Sequence, residues 1–205
     1  MATKAKSKKE AAKATALVLR CCNEDMSSQN DFVWPGVDQE AVCPDWINNN
    51  ECGNGLHGWL YGQGDHTTSS YYNNPKAKWL VVEVEESTIV MLGGKCKFER
   101  GVVRFVGEKT EAAAYLIANE PRAKDVAVIG ISIDVGNEKV AIGGALSTLT
   151  GGYGSTLTGG DDSTLTGGNR STLTGGYGST LTGGDGSTLT GGNRSTRTGG
   201  TRSTL

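Results

Sequence analysis

The sequence predicts an α+β N-terminal domain with a mainly antiparallel sheet, followed by a short parallel β-solenoid of Ser-Thr-Leu-Thr-Gly-Gly octads. Three observations carry that prediction. An eight-residue unit begins at Ser147, Ser155, Ser163, Ser171, Ser179, Ser187 and Ser195, and Ser203-Thr204-Leu205 starts another. Ahead of it, apolar β-branched runs alternate with polar or glycine turns and lead into one helical segment. Between the two, the octad frame reads backward into Lys139–Leu146, where Gly143-Gly144 align with the repeat glycines, and into Ile131–Glu138, where Ile133 takes the leucine position. The chain therefore divides into a disordered basic arm (1–16), an α+β domain (17–120), a junction and N-terminal solenoid cap (121–146) and the octapeptide solenoid (147–205).

In the first domain, Leu17 to Leu19, closed by Arg20 and the pair Cys21-Cys22, reads as a short strand. Phe32-Val33-Trp34-Pro35-Gly36 places large apolar area beside a rigid corner. Strands are expected at Trp79–Val84, Thr88–Leu92 and Val102–Val106, and a helix at Glu108–Asn119, ended by Glu120-Pro121. Val126 to Ile133 reads as a further apolar strand.

Charge excludes some partners. Residues 1–20 carry six basic groups against Glu10, whereas residues 21–146 carry 10 basic and 18 acidic groups. A body so acidic is poorly suited to a nucleic-acid backbone, and the lysines of the arm read as a solubilising tail. No 18-residue apolar run is present to span a membrane, and Ala14 to Leu19 is too short for a secretory signal, so a cytoplasmic location is expected. The odd set of five cysteines, Cys21, Cys22, Cys43, Cys52 and Cys96, points to reduced thiols.

Residues 43–66 hold the chemistry-bearing side chains. Cys43, Cys52, His57 and His66 are four weak candidate metal ligands; their spacings of eight, four and eight intervening residues lack the short clasp of a zinc site. Buried thiols and a histidine ring held by a backbone hydrogen bond are the simpler reading of these residues. Cys52-Gly53-Asn54-Gly55-Leu56-His57-Gly58 lacks the spacing of a phosphate-binding loop and reads as a tight backbone path that positions Leu56 and His57. His57 is the weak catalytic candidate, because an imidazole titrates near neutrality. No catalytic residue, metal or other cofactor is expected beyond these.

Two readings of the octads compete. Glycine fills more than one position in four from Ser147 onward, so a flexible tail is one. The other is the solenoid: period-2 alternation sends Ser155 and Leu157 to one face and Thr156 and Thr158 to the other. Stacked coils give an inward ladder of Leu149, Leu157, Leu165, Leu173, Leu181 and Leu189. Outward they present Thr148, Thr150, Thr156, Thr158, Thr164, Thr166, Thr172, Thr174, Thr180, Thr182, Thr188 and Thr190, the candidate surface-binding residues. The paired glycines allow corners with φ > 0 and close coil-to-coil approach. Arg197 at a leucine position suits a terminal coil, where the core opens to water.

Gly-Tyr-Gly-Ser-Thr-Leu-Thr-Gly-Gly-Asp, residues 152–161, resembles the 16-residue repeat of bacterial ice-nucleation proteins, with Tyr153 and Tyr177 at the repeated tyrosine and Arg194, Arg197 and Arg202 as an Arg-rich end. That resemblance implies two octads per coil and two flat threonine faces. The recurrence of tyrosine at every third octad leaves a three-sided coil open. Residues from about Leu17 to Ile117 also resemble a small bacterial and bacteriophage domain family of uncharacterised function, on Leu19-Arg20-Cys21, Phe32–Pro35, Asp45-Trp46, Cys52–Gly58, Trp79–Val84 and Gly93–Phe98. The expected role is a non-enzymatic repeat protein whose Thr-x-Thr faces bind an ordered surface such as ice, or a second copy in a homo-oligomer. The alternative is a small enzyme domain centred near His57, with the solenoid as stalk or oligomeriser.

Overall fold

The computed structural model describes residues 13–205; most of the expected basic arm, residues 1–12, lies outside the described residues. The first strand already begins at Thr15, inside the stretch assigned to the arm. Seven strands form one antiparallel sheet: β1 (Thr15–Cys22), β2 (Glu40–Val42), β3 (Leu56–Leu60), β4 (Lys78–Glu85), β5 (Val90–Met91), β6 (Cys96–Phe98) and β7 (Arg100–Gly107), in the order β2-β7-β4-β1-β3-β6-β5. β1 and β4 are the backbone of the sheet, paired continuously from Thr15↔Glu85 to Cys22↔Lys78.

Period-2 alternation sends the side chains of these two strands to opposite faces, and each face has its own core. Leu17, Leu19, Cys21, Trp79 and Val81 pack under the helix α1 (Lys109–Asn119), which contributes Ala112, Ala113 and Leu116. Val18, Cys22, Leu80, Val82 and Val84 pack with Trp34, with Ala41 of β2 and with Cys43 just after it. The helix starts on a reciprocal capping box between Glu108 and Glu111.

Three local expectations are corrected. Leu56–Leu60, whose first residues the sequence reads only as a tight backbone path, is a strand paired with both β1 and β6. Its Gly58 lies against β1, where an added Cβ would come within 2.6 Å of the Leu19 carbonyl oxygen. The strand expected at Thr88–Leu92 shrinks to Val90–Met91, because Glu86–Thr88 forms a 3₁₀ turn. Val126–Ile131 is irregular, following a 3₁₀ turn at Pro121–Asp125. Its backbone is taken up in bridging: Ile129 N–H donates to the Gly62 carbonyl (2.9 Å) and Gly130 N–H to that of Ala145 (2.8 Å).

From Ser132 the chain is a parallel β-solenoid. Strands β8 (Ser132–Val135), β10 (Thr148–Gly151), β12 (Thr164–Gly167), β14 (Thr180–Gly183) and β16 (Thr196–Gly199) stack into one sheet. Strands β9 (Val140–Ile142), β11 (Thr156–Thr158), β13 (Thr172–Gly175) and β15 (Thr188–Gly191) stack into the other. The pairs Leu149↔Leu165 and Leu157↔Leu173 close each coil in two octads and give it two sides, so the flexible tail and the three-sided coil are both excluded. Ile133, Ala141 and the six ladder leucines form the narrow core, and Arg197 faces Leu181 in the exposed last strand.

The repeat residues divide the work differently from expectation at one point. The paired glycines do not take positive φ; that conformation falls on the second variable residue, as in Gly154 (64°), Asp162 (54°) and Arg170 (56°). The glycines are required by space instead. A Cβ on Gly175 would come within 2.7 Å of Ser179 Cβ and 2.9 Å of Leu181 Cδ1, and one on Gly168 within 2.7 Å of the Gly152 carbonyl carbon. Several inward serines satisfy the coil before them: Ser163 Oγ donates to the Gly144 carbonyl (3.2 Å) and Ser179 Oγ to that of Gly160 (3.1 Å), whereas Ser155 Oγ is buried with no partner among the described residues. The first variable residue caps the coil after it, since Tyr177 N–H donates to Asp161 Oδ1 (2.7 Å) and Asp185 N–H to Asn169 Oδ1 (3.0 Å).

Candidate functional site: two threonine ranks and a cleft

Alternation along each short strand decides which side chains meet solvent. In β12, Thr164 and Thr166 are exposed while Leu165 and Gly167 are buried, and the same pattern recurs in β13 and β14. Because the coils are in register, the threonines line up in columns spaced by the strand separation of about 4.8 Å, with the two columns of a face about 7 Å apart. One face carries Thr148, Thr164 and Thr180 in one column and Thr150, Thr166 and Thr182 in the other. The opposite face carries Thr156, Thr172 and Thr188 beside Thr158, Thr174 and Thr190. Eleven of these twelve residues are exposed and Thr150 is half-buried. Among the described residues none of their hydroxyls is bonded to another protein group, so each is left to solvent or to a surface.

The two faces differ at their first strand. On the β9-β11-β13-β15 face, Val140 and Ile142 stand in register with Thr156 and Thr158 and are 66% and 58% exposed. That face is β-branched from end to end. On the other, Ser132 and Asp134 occupy the equivalent places, so the rank starts with a carboxylate. The tyrosines lie on the coil edges, not the faces: Tyr153 and Tyr177 sit at opposite corners, each beneath an arginine of the next coil, Arg170 and Arg194.

The α+β domain carries a cleft of about 270 Å³ over β1 and β3, walled by Arg20, Phe32, Cys43, Asp45, His57 and Tyr71 among others. His57 stands on β3 with its carbonyl oxygen accepting from Arg20 Nη1 (2.9 Å). Its Nε2 is buried and has no hydrogen-bond partner among the described residues. Burial, aided by the charges of Lys95, Arg20 and Lys97, holds its pKa down at about 4. The imidazole is therefore neutral at pH 7, and no nucleophile is hydrogen-bonded to it among the described residues. Burial raises the Cys21 and Cys43 thiols above their ordinary value, which leaves them protonated and unreactive.

The four weak metal candidates are not brought together as a ligand set. Cys43 is buried and donates to Asp45 Oδ1 (3.1 Å), while Cys52 is exposed. His66 is buried against Tyr72 and lies 3.2 Å from Asp162 Oδ2 in the solenoid. Among the described residues no group of three or more His, Cys, Asp or Glu side chains is placed to hold a metal ion. Arg20 is the cleft residue that sequence reasoning did not single out; its signal was a cation inside an otherwise apolar strand.

Residues 16–117 match a family described as a domain of unknown function (DUF7666). An ice nucleation protein of Xanthomonas campestris pv. translucens is 34% identical over 107 residues, which is 51% of this chain and 7% of that protein. One of Pseudomonas fluorescens is 35% identical over 105 residues, covering 50% and 8%, and one of Pseudomonas syringae 33% identical over 110 residues, covering 51% and 9%. The chain thus spans less than a tenth of the length of these relatives. No solved structure matches it. The chain therefore joins a domain of this unknown-function family to a β-solenoid and is similar over half its length to ice nucleation proteins.

Proposed function

We propose that the solenoid binds an ordered surface, with ice as the leading partner, and that the β9-β11-β13-β15 face makes the contact. The observation that supports this most directly is the in-register stacking of Thr156, Thr172 and Thr188 beside Thr158, Thr174 and Thr190. Methyl and hydroxyl groups fixed on a repeating backbone have already lost their freedom on folding, so little is lost on meeting a repeating partner. Val140 and Ile142 extend the same branched, uncharged surface, whereas Asp134 on the opposite face holds its own water. The relatives named as ice nucleation proteins favour ice among ordered surfaces. A face of four strands spans only about 15–20 Å at the sheet spacing. Such a patch suits adsorption to a crystal already present better than organisation of a new one.

Lysine at Thr156, Thr172 and Thr188 together is the test, with lysine at Thr148, Thr164 and Thr180 as the matched control. Ice-crystal shape and the gap between melting and freezing are measured on the purified chain beside a droplet-freezing curve. Faceted crystals and a freezing gap lost in the first variant and kept in the second support the reading. Unmodified crystal growth at high concentration of the native chain overturns ice as partner. The face is then a self-association surface if the first variant dissociates an oligomer in sedimentation.

A further inference from the structure

The cleft in the α+β domain has a chemical character that surface binding by the solenoid does not use. Its volume of about 270 Å³ is near the lower bound for small-molecule sites, of order 300 Å³. Arg20 reaches it from β1, a strand otherwise buried from Ala16 to Cys22. Its guanidinium is covered on one side by the Trp34 ring, 4.4 Å from the centroid, and Nη1 donates to the His57 carbonyl. Among the described residues it has no carboxylate partner, and Nε is buried without an acceptor. A largely desolvated guanidinium with no counter-charge is costly, and its planar fork suits an oxyanion that can accept two parallel hydrogen bonds.

The surroundings have the matching sign. Lys95 lines the same cleft, and the single carboxylate on its wall, Asp45, is occupied by Cys43 Sγ (3.1 Å) and Asn54 Nδ2 (2.9 Å). His57 adds a second buried, unpartnered nitrogen beside Arg20. Two aromatic rings, Phe32 and Tyr71, also line the cleft. We propose that this cleft binds a small phosphorylated ligand, with the phosphoryl group on Arg20 and Lys95 and the remainder against Phe32 and Tyr71. Two cations match a phosphate monoester better than a carboxylate, which would leave one charge uncompensated. Burial does most to depress the His57 pKa, but the charges of Lys95, Arg20 and Lys97 add to it, and a bound anion would offset that added part.

The experiment uses the full chain and the imidazole proton resonances of its two histidines, assigned with His57→Gln. Inorganic phosphate is titrated at constant ionic strength against chloride, with acetate as the second arm, and the His57 titration curve is recorded from pH 3.5 to 7.5. Expected are a saturable shift of the His57 resonance with phosphate, a His57 midpoint raised above about 4, and His66 unmoved. Arg20→Gln should weaken phosphate binding by about tenfold or more, the loss of a charge-assisted bidentate contact. Lys95 is half-exposed, so Lys95→Gln keeps the fold should Arg20→Gln lose it, and it should weaken binding severalfold. A His57 resonance unmoved by phosphate in the folded native chain overturns the proposal. So does an undiminished response in both variants. Acetate binding as tightly as phosphate overturns the assignment of the ligand as phosphorylated.

Discussion

Truncating Leu165 to alanine tests the central physical claim about the solenoid, that each strand of a coil is held by one inward leucine and its neighbours above and below. Leu165 is fully buried between Leu149 and Leu181, and its flanking inward residues are only Ser163 and Gly167. The serine and glycine cannot fill the space, and the leucines above and below are pinned by backbone ladders, so the cavity stays open. Leu→Ala at such sites costs about 3–5 kcal/mol. In a stack where coils touch only their neighbours, the loss is felt locally. Amides of β12 and of its paired neighbours β10 and β14 should therefore exchange with solvent about a hundredfold faster or more, since each step of about 1.4 kcal/mol is a factor of ten. Amides of β1 and β4 should keep their protection. Leu189→Ala, in β15, should affect only the coil beside it. Hydrogen exchange read by mass spectrometry resolves these segments. Unchanged protection beyond Leu165 would refute the inward ladder, and equal loss across β1, β4 and β12 would refute coil-by-coil stability.

The two glycine classes should respond differently. Gly168→Ala should destabilise the solenoid by about 1–3 kcal/mol, because the added Cβ meets only backbone, the Gly152 carbonyl carbon at 2.7 Å and Tyr153 nitrogen at 2.8 Å. Gly154→Ala meets nothing closer than Glu138 Cγ at 3.4 Å and should cost only the left-handed φ of 64°, about 1 kcal/mol, as judged by thermal melts. His57 gives a pH dependence. Its folded pKa of about 4 lies below the unfolded value of 6.5, so the unfolded chain takes up the proton first and stability falls as pH drops from about 6.5 toward 4. Burial lowers its pKa most, the charges of Lys95, Arg20 and Lys97 lower it further, and Asp45 opposes them. The full shift corresponds to about 3 kcal/mol and, after partial solvent screening, to about 1–2 kcal/mol. Urea melts across that range should lose this slope in His57→Gln, and an unchanged slope would remove His57 as its source.

The solenoid was legible because its rule is local. Strict alternation within Ser-Thr-Leu-Thr tells inside from outside whatever the coil length, and Leu165 and Thr164 take the sides that the pattern assigns. Coil length was not legible because the variable pairs recur at every third octad while the backbone repeats at every second. The structure shows why the longer period carries no geometry. The corners need only an acceptor for the next coil's N–H, and Asn137, Asp161, Asn169 and Asp185 all serve. In the α+β domain, β1, β4, β7 and the helix were read from apolar periodicity. β3 was hidden by Gly53, Gly55 and Gly58, which look like a loop in sequence. Gly58 belongs to the sheet because β1 passes too close for a Cβ. The cleft was hidden for a different reason: Arg20, Phe32, His57 and Tyr71 are distant in sequence, and only the sheet order and the covering loops bring them together.

The irregular segment at 126–131 is the feature that makes one body of two architectures. A solenoid begins with unpaired strand edges and an open apolar end, both prone to association. Here the α+β domain closes that end. Residue 129 bonds back to Gly62, Gly144 N–H donates to the Val128 carbonyl (2.8 Å), and Gly130 N–H to that of Ala145. Ile131 packs against both the helix-side core and the leucine core, so apolar contact is continuous across the joint. Lys109 then reaches from the helix start to the Leu146 carbonyl (3.0 Å), its aliphatic stem lying where a side chain on Gly130 would be. A second tie, His66 to Asp162, engages the following coil. A strand at 126–131 would have spent its hydrogen bonds within a single sheet. Left irregular, the segment serves the globular sheet and the first coil at once, and the threonine faces are thereby held at a fixed orientation to the domain that bears the cleft.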